Sequence, residues 1–318
     1  MPDTNHKYRA ASAEIIKTAK LSIYSNLFLL LMKLAVGFLM GSISVLSEAL
    51  HSGIDLIAAI IANYSIRTAA KPADEVHKFG HGKYENISGT IEALLIFIIS
   101  IVIMLEALDK IQTGGKVEYL GAGMVVMGIS AVVNYFISRK LMKVARRTES
   151  IALEADAFHL STDVYTSLGV FVGLILIQLT GMPVFDPVMA IIVALIILRA
   201  AYNLTKRSLY GLMDAKLSDR EECIIKEIIT GHFSEYVEYH NLRTRMSGAE
   251  RFVDLHLVFP RNKPVVEAHE FCDHLEKDIM KQIPNLSITI HIEPCRDDCV
   301  ICQKLDVCNL ADKPTTKS

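Results

Sequence analysis

The sequence predicts two folds in one chain: an all-α membrane domain of six transmembrane helices, then a small α+β cytoplasmic domain of order αββαβ. Three observations carry this. Charged residues are 21% of the 318, only slightly below the share of soluble domains, so placement rather than amount is informative. No charged residue occurs in 119–138 or in 164–180, runs on the scale of the roughly 20 apolar residues that span a bilayer. After Ser208 charges return and apolar runs shorten, so the last third reads as water-facing. A wholly soluble globule, a secreted disulfide scaffold and a disordered chain are excluded. Four of the six Cys crowd into 295–308, which is not a disulfide framework spread over a fold.

Taken in order, residues 1–20 are polar and basic with no cleavable apolar core after them, so a cytoplasmic segment is expected and no signal peptide. Apolar spans follow at 21–40, 43–66, 87–108, 119–138, 155–179 and 184–204, giving a six-helix membrane domain over 21–210. Basic residues set its orientation. The loop after the second span carries Arg67, Lys71, Lys78 and Lys83, and the loop after the fourth carries Arg139, Lys140, Lys143, Arg146 and Arg147. The opposite side has Lys110 and Lys116 alone. Both termini are therefore expected in the cytoplasm.

The soluble domain is expected over 211–294. Ser218 and Asp219 cap a helix running through Ile229, and strands follow near 238–246 and after the Ser247-Gly248 turn. In the second strand Val253, Leu255, Leu257 and Phe259 alternate with Asp254 and His256, the period of a half-buried strand. Pro264 opens a helix to about Gln282, and Leu286, Ile288, Ile290 and Ile292 alternate in a last strand. His256 and His291 thus fall on the polar face of a small open sheet. His232 and His274 read as ordinary surface residues. The net charge of −2 gives no field that favours nucleic acid.

Two apolar spans are interrupted in the same way. The second contains Ala49-Leu50-His51-Ser52-Gly53-Ile54-Asp55, and the fifth contains Ala157-Phe158-His159-Leu160-Ser161-Thr162-Asp163. The i to i+4 spacing puts His and Asp on one helix face. If the two helices pack, two imidazoles and two carboxylates converge, a ligand set suited to tetrahedral Zn²⁺. The carboxylates neutralise a dication, and an empty site is expected to take up protons, so metal-for-proton exchange follows as a hypothesis. Each mid-membrane carboxylate costs about 2.5–3.5 kcal/mol on insertion scales, which makes mere helix packing a poor account of two such copies. Glu48, Glu92 and Glu106 also sit in or near spans; Glu106 is expected at the external end and solvated, while for Glu48 and Glu92 a metal or proton path and helix-to-helix hydrogen bonding stay open as roles.

The loop after the second span places Asp74, His77 and His81 close in sequence, but Gly80 and Gly82 oppose a helix there. By spacing alone, a solvated loop and a second metal site both remain open. In the soluble domain His256, His291 and Glu293 make a metal cluster on the polar face a further expectation. The tail 295–318 carries Cys295, Cys299, Cys302 and Cys308, whose outer spacings match no standard zinc ribbon. A tail metal site and free cytoplasmic thiols stand as alternatives.

The two His-x-x-x-Asp copies, the Pro72-Ala73-Asp74 loop ending His77-x-x-x-His81-Gly82-Lys83, and Asn241-Leu242-Arg243-Thr244-Arg245 after His240 resemble the cation diffusion facilitator family. The resemblance spans roughly 12–294 and is closest in kind to bacterial zinc/proton antiporters that work as homodimers, with a metallochaperone-like soluble domain. It implies a multi-pass protein of the bacterial inner membrane, not an enzyme, with Zn²⁺ as both substrate and regulatory ion. It implies that His51, Asp55, His159 and Asp163 are the transport site, and that Asp74, His77 and His81 form a loop site. It further implies a binuclear site of His240, His256, His269, His291 and Glu293 at a dimer interface, and a charge interlock between Lys83 and Asp214. Many relatives have Asp where His51 stands, and often Asp where Glu293 stands; imidazole in place of oxygen favours Zn²⁺ over Mn²⁺. Competing expectations are efflux of Fe²⁺, Co²⁺, Cd²⁺ or Mn²⁺, a membrane metal sensor without transport, and an intramembrane hydrolase. The last needs an open coordination position that a closed His₂Asp₂ shell denies.

Overall fold

The structure is a computed structural model that describes residues 3–40, 43–113, 121–182 and 184–296. It divides into two compact units, Met1–Met213 and Asp214–Ser318. The first contains six helices: α1 (Asp3–Met40), α2 (Ile43–Ala69), α3 (Lys83–Thr113), α4 (Gly121–Thr148), α5 (Ile151–Thr180) and α6 (Phe185–Leu212). Among the described residues, segments of α1, α2, α3 and α6 are long and apolar enough to cross a membrane. Helix α1 begins well before its apolar run, because Ile15 and Ala19 bury against Leu141, Leu153 and Ala157.

This unit turns the usual distribution of polarity inside out. Phe28, Leu31, Ile57, Ile98, Val102, Phe136, Leu195 and Ile196 are exposed, whereas Ser22, Asn26, Lys33, Ser52, Asp55, Asn63, Glu92, Asn134, Asp156 and His159 are buried. An apolar exterior around a polar interior is the arrangement a hydrocarbon solvent demands. The helices pack chiefly as pairs, α3 with α6, α1 with α2 and α4 with α5, and α5 also meets α2, α3 and α6. Small residues allow the closest approaches. A Cβ added to Gly211 would run into the Asn86 side chain of α3, and one added to Gly89 would lie 2.7 Å from Ile151 Cγ2. At the start of α5, the Ser150 hydroxyl accepts from Leu153 N and donates to Glu85 Oε2 at 2.6 Å, so one residue caps one helix and ties it to α3.

The second unit follows the expected order: α7 (Asp219–Gly231), β1 (Glu238–Ser247), β2 (Glu250–Phe259), α8 (Val265–Gln282) and β3 (Leu286–Pro294), with a 3-10 turn over Phe233–Glu235. Ser218 and Glu221 form a reciprocal capping box at the start of α7. The sheet order is β1-β2-β3, antiparallel between β1 and β2 and parallel between β2 and β3. The helix α8 supplies the crossover that a parallel pair requires. One sheet face, built on Val253, Leu255, Leu257 and Phe259, packs with Ile225, Ile229, Leu275 and Ile279 of the two helices. In β1 the register shifts between His240 and Arg243, with Asn241 at φ 51°. This bulge flips the alternation, so that Tyr239 and Leu242, three apart, both reach the core.

Gly211→Val is expected to destabilise the helical unit by about 1–3 kcal/mol through overpacking against Asn86. Gly128→Val, where an added Cβ meets nothing within 4 Å, should be near neutral. Thermal unfolding in detergent, followed by loss of helical ellipticity, checks the contrast.

Candidate metal centres

In the helical unit α2 and α5 bring the two His-x-x-x-Asp copies together. His159 Nε2 lies 2.9 Å from Asp55 Oδ1. His51 Nε2 stands 4.0 Å from Asp55 Oδ1 and 4.0 Å from Asp163 Oδ1. Four donors at about 2.0–2.2 Å from a tetrahedral Zn²⁺ would be separated by roughly 3.3–3.5 Å. The His159–Asp55 separation is shorter than that edge and the two His51 separations are longer, so these three contacts draw the side chains toward one point without forming a closed shell. Asp163 Oδ2 also accepts from Asn134 Nδ2 at 3.1 Å, which orients it from α4.

Two charged residues near this set were not singled out by sequence reasoning. Lys33, buried on α1, donates to Ser52 Oγ at 2.8 Å, one residue from His51, and its charge reaches Asp163. Asp156 is buried three residues before His159 and accepts from Ser22 at 2.9 Å, while its other oxygen has no hydrogen-bond partner. Both oxygens of buried Glu92 likewise lack one. The signal for Lys33 and Asp156 was present in the sequence: each is a charge set in an apolar span, as His51 and Asp55 are.

Asp74, His77 and His81 form a compact turn and not a helix. Asp74 Oδ1 accepts from Val76 N at 2.9 Å and His77 N at 2.6 Å, and Gly80 takes φ 80°. This turn folds the chain so that His77 Nδ1 is 3.5 Å and His81 Nε2 is 3.3 Å from the Asp74 carboxylate. The three ligand atoms lie within 4.8 Å of one another. The Asp74 carboxyl is held below the usual range, first by the hydrogen bond from His77 N. The backbone hydrogen bonds favour the charged form of this carboxylate.

On the open face of the sheet, strand register lines up three histidines. His240 is opposite His256, and His256 is opposite His291. Ring centroids are 5.2 Å and 4.9 Å apart along this row. Glu293 reaches all three: 2.7 Å to His256 Nδ1, 3.4 Å to His240 Nε2 and 3.8 Å to His291 Nε2. The bond from His256 is the first cause holding the Glu293 carboxyl below its ordinary value. Because that value is depressed, the contact is intact above the ordinary carboxylate range and is lost as pH falls through the lowered value.

His269 projects from α8, 3.8 Å from Asp273; α8 covers the apolar face of the sheet, opposite the histidine row. Cys295 is buried against Val237 and Val258, while Cys299, Cys302 and Cys308 lie outside the described residues. Lys83 donates to the Leu212 carbonyl at 3.3 Å in the first unit, and Asp214 accepts from Arg245 at 3.3 Å in the second.

Comparisons with known proteins agree with this layout. The cation efflux transmembrane domain family matches residues 19–213, and the cation efflux protein cytoplasmic domain family matches residues 217–295. The chain is 32% identical to an uncharacterized transporter, sll1263, of Synechocystis over 88% of its own length and 90% of the relative's. It is 30% identical to the cation-efflux pump FieF of Citrobacter koseri, over 84% and 88% of the two chains. A solved chain of the transporter CzrB is 36% identical over 25% of this chain and 99% of that one, with a TM-score of 0.24.

Replacing Lys33 with Met removes a positive charge from the edge of the membrane set. Divalent-metal affinity there is expected to rise roughly tenfold, the scale of one Coulomb contact at intermediate dielectric. Isothermal titration of the purified protein carrying Asp74→Ala, His256→Ala and His274→Ala and lacking 295–318 isolates that site.

Proposed function

Because the chain belongs to the cation diffusion facilitator family, a family of membrane cation-efflux transporters and not of enzymes, we propose that it exports Zn²⁺ from the cytoplasm in exchange for protons, as a homodimer. The single observation that carries this is the convergence of His51, Asp55, His159 and Asp163 between α2 and α5. Two nitrogen and two carboxylate oxygen donors fit zinc in number, charge and softness. Loaded, the set is neutral; empty, it holds two carboxylates beside two imidazoles. Proton uptake by these groups compensates the charge that the departing ion leaves behind.

In this reading the ion enters from the cytoplasmic side and displaces the proton shared between His159 and Asp55. Rocking of the helices around a fixed site then exposes it to the other side. Protons from that side rebind and favour release. Membrane insertion with both termini in the cytoplasm follows from the basic loops, Arg67 to Lys83 and Arg139 to Arg147. The Asp74 turn and the His240–His256–His291 row with Glu293 are then regulatory zinc sites facing the compartment whose zinc is sensed. Between two copies, His269 is proposed to complete the second set and Lys83 to interlock with Asp214. Zinc bound at the soluble units shifts the transport equilibrium to the extent that it binds one conformation better than the other. Efflux of Fe²⁺, Co²⁺, Cd²⁺ or Mn²⁺ is the alternative on the same machinery. The His51 imidazole favours zinc over the harder Mn²⁺.

The test is flux in proteoliposomes under an imposed pH gradient, with metals in competition. His159→Ala is expected to abolish zinc-driven proton movement while leaving the protein folded; undiminished flux would remove the transport-site assignment. His51→Asp should broaden selectivity toward Cd²⁺ or Mn²⁺, measured as the ranking of competing metals in the same vesicles. If the tail holds metal, deleting 295–318 lowers zinc per chain in elemental analysis, and an equal content assigns those cysteines as free thiols.

A further inference from the structure

Sequence reasoning left His232 and His274 as surface residues, yet the soluble unit brings them onto one carboxylate. His232 is the C-cap residue of α7, where its N–H closes the last turn on Ile229 and Thr230. His274 and Asp278 stand one turn apart on α8. His232 Nε2 lies 3.5 Å and His274 Nε2 lies 3.4 Å from the same oxygen, Asp278 Oδ2. All three ligand atoms fall within 4.8 Å of one another.

Three features separate this cluster from a pair of incidental ion contacts. The first is tautomer. His232 Nδ1 lies 2.9 Å from the Ile228 carbonyl, an acceptor, so Nδ1 carries a proton and Nε2, facing Asp278, is the nitrogen left to act as a metal ligand. Metal-ligating histidines are oriented by a backbone carbonyl in this way. The second is distance. Charge-assisted hydrogen bonds from imidazolium to carboxylate close to about 2.7–2.9 Å. Separations of 3.4 and 3.5 Å instead match the roughly 3.3–3.5 Å edge of a zinc tetrahedron. The third is the carboxylate itself. Lys281 holds Asp278 Oδ1 at 2.7 Å, which leaves Oδ2 directed at the two imidazoles. The His232 ring is also braced edge-on against Phe271, with centroids 6.0 Å apart.

We propose that His232, His274 and Asp278 form a further zinc site, with three protein ligands and a fourth position open to water. It lies on the helix side of the sheet, apart from the Glu293 cluster on the open face. A bound ion ties the end of α7 to α8 and so joins the two helices that cover the core. Two neutral imidazoles and one carboxylate select borderline metals such as Zn²⁺ over Ca²⁺ or Mg²⁺, which prefer all-oxygen shells. The site stands or falls independently of transport.

The test is equilibrium dialysis of the full-length, detergent-purified protein against Zn²⁺ at neutral pH. His274 is mostly exposed, so His274→Ala should leave the fold intact. It is expected to lose one zinc per chain, and that loss should add to the separate loss caused by His256→Ala. Lys281→Ala frees Asp278 Oδ1 and is expected to tighten binding at this site about threefold or more, a gain that misfolding cannot imitate. Equal zinc content in the native protein and His274→Ala would overturn the proposal, as would a Lys281→Ala protein that binds no more tightly.

Discussion

The contact between His159 on α5 and Asp55 on α2 is the constraint around which the helical unit is arranged. An ionisable group on an outward helix face would meet hydrocarbon, so such groups in a span are turned to the bundle interior. At 2.9 Å this pair joins two helices far apart in sequence and sets which of their faces point inward. The polar residues around it follow from the same demand. Asn134 steadies Asp163, Ser22 meets Asp156, and the Lys33 ammonium lies against Ser52. Close approach at Gly89 and Gly211 then lets α3 and α6 pack tightly beside it.

The soluble unit gathers its candidate ligands by a different route. There the ligands are aligned by backbone register, because neighbouring strands space their side chains at intervals near the diameter of a coordination shell. His240, His256 and His291 occupy one row across three strands, and Glu293 joins them from the next residue on the same face of β3. The Asn241 bulge is what permits this: it allows β1 to send Tyr239 and Leu242 to the core while His240 stays on the open face. The loop set uses a third device, an Asx turn in which Asp74 binds its own backbone and is thereby preset to bind a cation. All three are built from His and carboxylate and suit the same class of ion, but one is enclosed in helices, one is a turn and one is a sheet face.

Much of this was legible in the sequence. The αββαβ order, the N-cap at Ser218 and the alternation in β2 each depend on local spacing, and they appear where local spacing puts them; of the six expected spans, segments of α1, α2, α3 and α6 are long and apolar enough to cross a membrane among the described residues. The ligand types in the two His-x-x-x-Asp copies were equally plain, since a charge in an apolar run declares itself. Less visible were buried Lys33 and Asp156, neither of which belongs to a repeated motif that draws attention to it. The meeting of His232 with His274 and Asp278 was not legible. His274 and Asp278 repeat the His-x-x-x-Asp spacing on α8, but outside an apolar span that spacing does not stand out, and His232 lies 42 residues before His274 in the numbering.

The division between the two sources of order is physical. Sequence alone determined which segments are apolar, which alternate and which residue types interrupt them, because these depend on transfer free energy and on the fixed periods of helix and strand. Only the tertiary structure decided which interruptions meet: His159 with Asp55, the three histidines across the sheet, and His232 with the α8 pair. Those meetings depend on helix contacts, strand register and one bulge. All are long-range choices made by the packing of whole elements, and no local period encodes them.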